Sequence, residues 1–105
     1  MNIYNIDYQN LIDLETKILN LNLKNYCLIY FEIKNDNFEK TKLTRIEIYK
    51  KLKIENFIII DINHQEITNF FKEIECTKYP IFIIIKDNNP LLLFEGYVYL
   101  DKPSS

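Results

Sequence analysis

The sequence predicts an α/β domain built on a mixed central sheet, and three observations carry that prediction. Two continuously apolar runs, Tyr26 to Ile33 and Phe57 to Ile62, are rich in strand formers and lack polar alternation, as in parallel strands buried on both faces. Between and after them, apolar residues recur at helical spacing. Ile67, Phe70, Phe71 and Ile74 fall at i, i+3, i+4 and i+7, the mark of an amphipathic helix. Finally, IFIIIK and LLLFEG flank Asp87-Asn88-Asn89-Pro90, residue types that favour a turn, so the chain closes with an antiparallel hairpin.

Taken in order, residues 2–6 alternate like a short strand. Asp7 is placed to cap a helix over residues 8–21, with Leu11, Leu14, Ile18 and Leu21 along one face. The strand at 26–33 follows and is expected to be central. Leu43, Ile46, Tyr49 and Leu52, each three apart, predict a second helix. The strand at 57–62, the helix carrying Ile67 to Ile74 and the hairpin complete the order βαβαβαββ, which favours helices on the faces of a sheet with a parallel portion and an antiparallel edge.

A chain of 105 residues, 48% hydrophobic, can bury one compact core and not two, so residues 1–105 form one domain. A net charge of −2 supplies no basic excess to draw the protein to nucleic acid or anionic lipid. Six of the thirteen basic residues lie between Glu39 and Lys53, but at 100° per residue they spread around a helix instead of forming a stripe. No apolar run reaches the roughly 20 residues of a membrane span, and the polar start lacks the features of a signal peptide. A cytoplasmic protein with no nucleic-acid and no membrane partner is the expectation. The two cysteines, Cys27 and Cys76, sit far apart in apolar settings, which fits a reducing compartment and neither a disulfide framework nor a metal site. Abundant Asn, Ile, Lys and Tyr with one Gly points to an AT-rich genome.

Tyr79-Pro80 stands at the mouth of a buried strand, where a missing donor is tolerated. Sixteen residues on comes Gly96, the only glycine, placed where a side chain would obstruct the backbone or force an unfavourable φ. Helix, loop, Pro, apolar strand, polar turn, strand and Gly is the order seen in the thioredoxin family, and KYPIFIIIKDNNPLLLFEG resembles that stretch in order and spacing. The resemblance covers residues 2–96. It implies a thioredoxin-like fold with a cis Tyr79-Pro80 bond facing the active site. Counting back from Pro80, YFEI matches the strand that leads into the family's redox motif, which then falls on Asp36-Asn37-Phe38-Glu39.

No CxxC is present. Dithiol exchange needs an attacking thiolate and a resolving thiol, and Asp36 and Glu39 are neither. Asp followed three residues later by Glu reads instead as a helix cap, with both charges near the positive helix end. Cys27 is core packing. Cys76, four residues before Pro80, reads as a small buried residue closing a helix, and a monothiol oxidoreductase acting through it is the alternative. His64 reads as a loop or capping residue. The expectation is a non-catalytic, redox-inactive binding module or adaptor with no cofactor and no metal. It would meet a protein or peptide on the surface of Asp36, Asn37, Phe38, Glu39, Tyr79, Pro80, Glu95 and Gly96.

After Gly96 only YVYLDKPSS remains, too short for the three-turn final helix of the family. Strands 57–62 and 81–86 are apolar on consecutive positions, so both faces are meant to be covered. The expectation is that the uncovered face, with Ile81, Ile83 and Ile85 on it, meets a second copy or another protein; the alternative is that YVYL extends the last strand and the neighbouring helices shift to close the gap.

Overall fold

A computed structural model describes residues 2–33, 47 and 50–96. Its elements are β1 (Asn2–Asn5), α1 (Leu11–Asn20), β2 (Tyr26–Ile33), β3 (Asn56–Ile62), α2 (Gln65–Glu73), β4 (Ile81–Lys86) and β5 (Asn89–Glu95). The five strands form one sheet in the order β1-β3-β2-β4-β5. β3 is parallel to both β1 and β2, whereas β4 is antiparallel to β2 and to β5. This is the mixed sheet that the alternating elements predict, with β2 and β3 buried along their lengths.

Parity sorts the core. Cys27, Ile29 and Phe31 share one face with Ile58, Ile60, Ile62, Ile81 and Ile85, and that face packs under Leu14 of α1 and Ile67 and Phe71 of α2. Leu28, Tyr30, Phe57, Ile59 and Phe82 form the other face, because successive strand side chains point to opposite sides. The expectation of a bare sheet face is corrected here. Ile81 and Ile85 are buried and Ile83 half-buried beneath the two helices, while the five residues of the opposite face are also buried. The apolar side chains that the sheet does expose include Leu91, Leu92 and Leu93 on the edge strand β5. Residues 97–105, and the question of a final helix, lie outside the described residues.

Local chemistry shifts several boundaries. The helix begins at Leu11, not near residue 8, and its cap is Asn10 instead of Asp7. Asn10 Oδ1 accepts from Asp13 N–H at 2.8 Å while Asp13 Oδ2 accepts from Gln9 N–H at 2.9 Å, a reciprocal arrangement that Asp7, six residues before Asp13, cannot make. Asp7 is held by its carbonyl, which accepts from Lys17 Nζ at 2.6 Å. The hairpin turn is narrower than the four polar residues suggested. Asp87 and Asn88, with φ of 51° and 67°, make a two-residue connection of the type that suits twisted strands. Asn89 and Pro90 then belong to β5, where proline is tolerated because the strand is an edge. Of the helix expected around Leu43 to Leu52, Leu43, Ile46 and Tyr49 lie outside the described residues. Glu47 and Lys50 are helical and paired at 3.0 Å.

Candidate functional site

The loop between α2 and β4 is built by the end of α2. Cys76 N–H donates to Phe71 O at 2.8 Å and Glu75 N–H to Lys72 O at 3.0 Å, with Glu75 at φ 63°. These are the two bonds of a Schellman ending, in which the residue after the cap turns left-handed. The chain then runs through Thr77, Lys78 and Tyr79 to Pro80, and the Tyr79-Pro80 peptide bond is cis. Pro80 is buried and Tyr79 half-buried. The Tyr79 ring meets Phe71 edge-on, with centroids 6.3 Å apart.

Two residues from the end of β5 fasten this loop. Glu95 Oε2 accepts from the backbone N–H groups of Thr77 at 2.9 Å and Lys78 at 3.0 Å. Both are charge-assisted bonds, stronger than neutral ones. Gly96 N–H donates to Pro80 O at 2.7 Å and Lys78 O at 3.1 Å. Its φ is 69°, while a Cβ there would come no nearer than 3.9 Å to Lys78 Cβ. Backbone conformation, not crowding, therefore selects glycine.

The structure thus brings Tyr79, Pro80, Glu95 and Gly96 together. Within that group Glu95 acts as a brace, with one carboxylate oxygen committed to the loop. Asp36, Asn37, Phe38 and Glu39 lie outside the described residues.

Both thiols are free and buried. Burial pushes Cys27 up to about 12. Cys76 is also raised, first by burial and then by the charge of Glu95; the Tyr79 phenol is raised too, by burial first and by neighbouring Cys76 second. A raised thiol holds less thiolate at neutral pH, the reverse of what attack on a disulfide requires. His64 stands at the N-cap position of α2 without making a side-chain cap. Its Nε2 lies 3.2 Å from Tyr8 O and its ring meets Tyr8 edge-on. It joins the start of α2 to the approach of α1, as Glu66 does by accepting from Leu11 N–H at 3.1 Å.

One polar residue was not singled out from the sequence. Glu32, near the end of β2, is buried, accepts from Tyr30 Oη at 3.1 Å and from its neighbour Ile33 N–H at 3.1 Å. Its signal was available as the one charge inside YCLIYFEI. Among the described residues, no group of three or more His, Cys, Asp or Glu side chains is placed to hold a metal, and no helix is long and apolar enough to cross a membrane.

Sheet order, helix placement and the proline loop together define a thioredoxin-like α/β fold. No protein-family model matches the chain, and no curated protein does. Solved structures do match. A chain from a complex of ferredoxin:thioredoxin reductase with thioredoxin f2 superimposes with a TM-score of 0.62 at 19% identity, covering 94% of this chain and 86% of that one. Reduced thioredoxin from Schistosoma mansoni gives 0.62 at 17%, covering 91% and 87%. Thioredoxin f from spinach chloroplast gives 0.57 at 19%, covering 92% and 83%. At these identities the likeness establishes the fold.

Proposed function

We propose that this protein is a non-catalytic protein-binding module or adaptor that receives a peptide or protein segment at the braced loop of Tyr79 and Pro80, beside Gly96. The observation that carries the reading is the pairing of a fixed loop with an unsuitable thiol. Glu95 and Gly96 tie down the backbone of residues 77–80, and preorganised backbone lowers the ordering cost of binding. Cys76, the thiol beside that loop, is buried and raised in pKa. The sequence holds no CxxC. A thioredoxin-like partner within a protein complex has a precedent in the reductase–thioredoxin f2 assembly.

The test combines turnover with capture. The purified protein is expected to show no reduction of insulin disulfides above buffer, and a photo-crosslinking residue at exposed Lys78 is expected to trap a discrete protein that the same residue at exposed Ile12 does not. Insulin reduction that disappears in Cys76→Ser would replace this reading with the monothiol one.

A further inference from the structure

The sheet ends in two edges, β1 and β5, and they differ in kind. An unpaired edge offers main-chain donors and acceptors to any other strand, and proteins blunt such edges with short length, charge, proline or a bulge. β1 is four residues long with asparagine at both ends. β5 is seven residues long, and its two defences, Pro90 and the register shift beside it, both lie at its start. From Leu91 to Phe94 the strand carries no charge, and Leu91, Leu92 and Leu93 are 57%, 49% and 38% exposed.

The register says which main-chain groups of β5 point outward. Gly96 N–H donates to Pro80 O, and antiparallel pairs alternate between bonded and non-bonded. The pairs Phe82–Phe94 and Ile84–Leu92 therefore carry the bonds between β4 and β5. On its other side β4 bonds to β2 with the opposite parity, as Asp87 N–H donating to Asn25 O marks. The N–H and C=O groups of Leu93 and Glu95 point away from the sheet, and no described strand lies beyond them.

Side chains and charge narrow the partner. Leu92 and Phe94 lie on the Phe82 face and Leu93 on the helix face opposite Ile83, so apolar surface flanks this edge on both faces. A strand that alternates apolar with polar residues would cover one face and set polar groups against the other. The edge calls for a strand apolar on both faces and without charge, and β5 is itself such a strand. In an antiparallel self-pair centred on Leu93, Leu92 of each copy stands opposite Phe94 of the other. The two Glu95 residues, each two positions from the axis on opposite sides, then lie about 13 Å apart at the usual rise, beyond the ~8 Å screening length at physiological ionic strength. One oxygen of each is already held by Thr77 and Lys78 N–H.

We propose that this chain forms a two-fold homodimer in which β5 pairs antiparallel with β5 of a second copy about Leu93, joining the two sheets into one. The two Leu93 residues exchange N–H···O=C bonds, and Leu92 packs on the partner's Phe94. Two edge strands bury less than the ~1,200–2,000 Å² of a standard interface, so the dimer is weak, with a Kd on the order of 100 µM. The proposal goes beyond the protein-binding reading and uses none of the residues 77–80 on which that reading rests.

Sedimentation equilibrium and amide exchange on the full chain, from about 10 µM to about 1 mM, test it. Mass is expected to rise from monomer toward dimer, and the Leu93 and Glu95 amides to gain protection with concentration while those of β1 do not. Leu93→Lys and Leu93→Glu change an exposed side chain whose N–H takes no part in the bonds to β4. Each should weaken association by at least about fivefold, because like charges meet across the axis and apolar contact is lost. An equimolar mixture of the two should associate more tightly than either alone, since opposite charges then face each other. A chain that stays monomeric at about 1 mM, association that both charged variants retain, or a mixture of the two folded variants no tighter than each alone would each overturn the proposal. So would Leu93 and Glu95 amides protected equally at every concentration, which would mean that the edge is occupied within one chain.

Discussion

Glu95 shows how one side chain can brace a loop and disfavour a neighbouring thiolate together. Its carboxylate accepts from Thr77 and Lys78, and the same charge stands close enough to Cys76 to reinforce the effect of burial on the thiol. Both causes disfavour the thiolate, so the folded protein at a given pH carries less of it than a free cysteine with a pKa near 8.5. Alkylation of Cys76 by iodoacetamide should therefore have its pH midpoint above that range, and Glu95→Gln should move the midpoint down by removing the second cause. The rate plateau at high pH should stay where it is, because glutamine retains an acceptor for the loop. A raised plateau with an unmoved midpoint would show that the substitution opens the loop, and a midpoint below 8.5 in the unsubstituted protein would count against the binding-module reading. This role of Glu95 was not legible in the sequence. The acceptor and its two donors are far apart along the chain, and only the return of β5 alongside β4 brings them together. The glycine beside it was legible, since a chain with one glycine keeps it where a positive φ is needed.

At the scale of elements, apolar period was enough to place every described strand and both described helices, because core faces must repeat at 2 or 3.6 residues. Ends were harder, as several polar residues compete to cap each one. Asp7 and Asn10 are both good caps by type, and the decision lay in Asp13, three residues after Asn10, which returns a hydrogen bond to the backbone. That α1 and α2 leave a groove between them over Ile83 and Ile85 had no counterpart in the pattern, since a period says which residues face inward and not whether the helices meet. The end of α2 offers a direct test of the capping argument. Glu75 occupies the left-handed position of the Schellman ending at φ 63°, a conformation that costs a residue with a Cβ roughly 1–2 kcal/mol. Glycine escapes that cost but loses about 0.4–1 kcal/mol through its greater freedom when unfolded. Glu75→Gly should stabilise the protein by about 0.5–1 kcal/mol in denaturant melts. Destabilisation would mean that the Glu75 side chain has a role beyond the backbone geometry.

In the whole molecule, two cores share one sheet. Phe71 (2% exposed) anchors the face under the helices, against Phe31 at 4.8 Å between ring centroids. Phe82 (0% exposed) anchors the opposite face, stacked on Phe94 at 4.9 Å. The strands between them are common to both: Phe31 and Tyr30 are neighbours on β2, and each contributes to a different core. Loss of packing on one side must therefore loosen the strands that the other side needs. Removing a buried phenylalanine to alanine costs about 3–5 kcal/mol, a large part of the ~5–15 kcal/mol that stabilises a domain of this kind. Phe71→Ala and Phe82→Ala should each lower the thermal midpoint by more than about 10 °C, whereas Ile12→Ala, at a position 76% exposed, should stay within about 0.5 kcal/mol of the unsubstituted protein. Far-ultraviolet circular dichroism and tyrosine fluorescence, the latter drawing on Tyr30 on one face and Tyr8 and Tyr79 on the other, should report one coincident transition in every variant. Two separated transitions in either phenylalanine variant would show that the faces unfold independently and that the shared strands do not couple them.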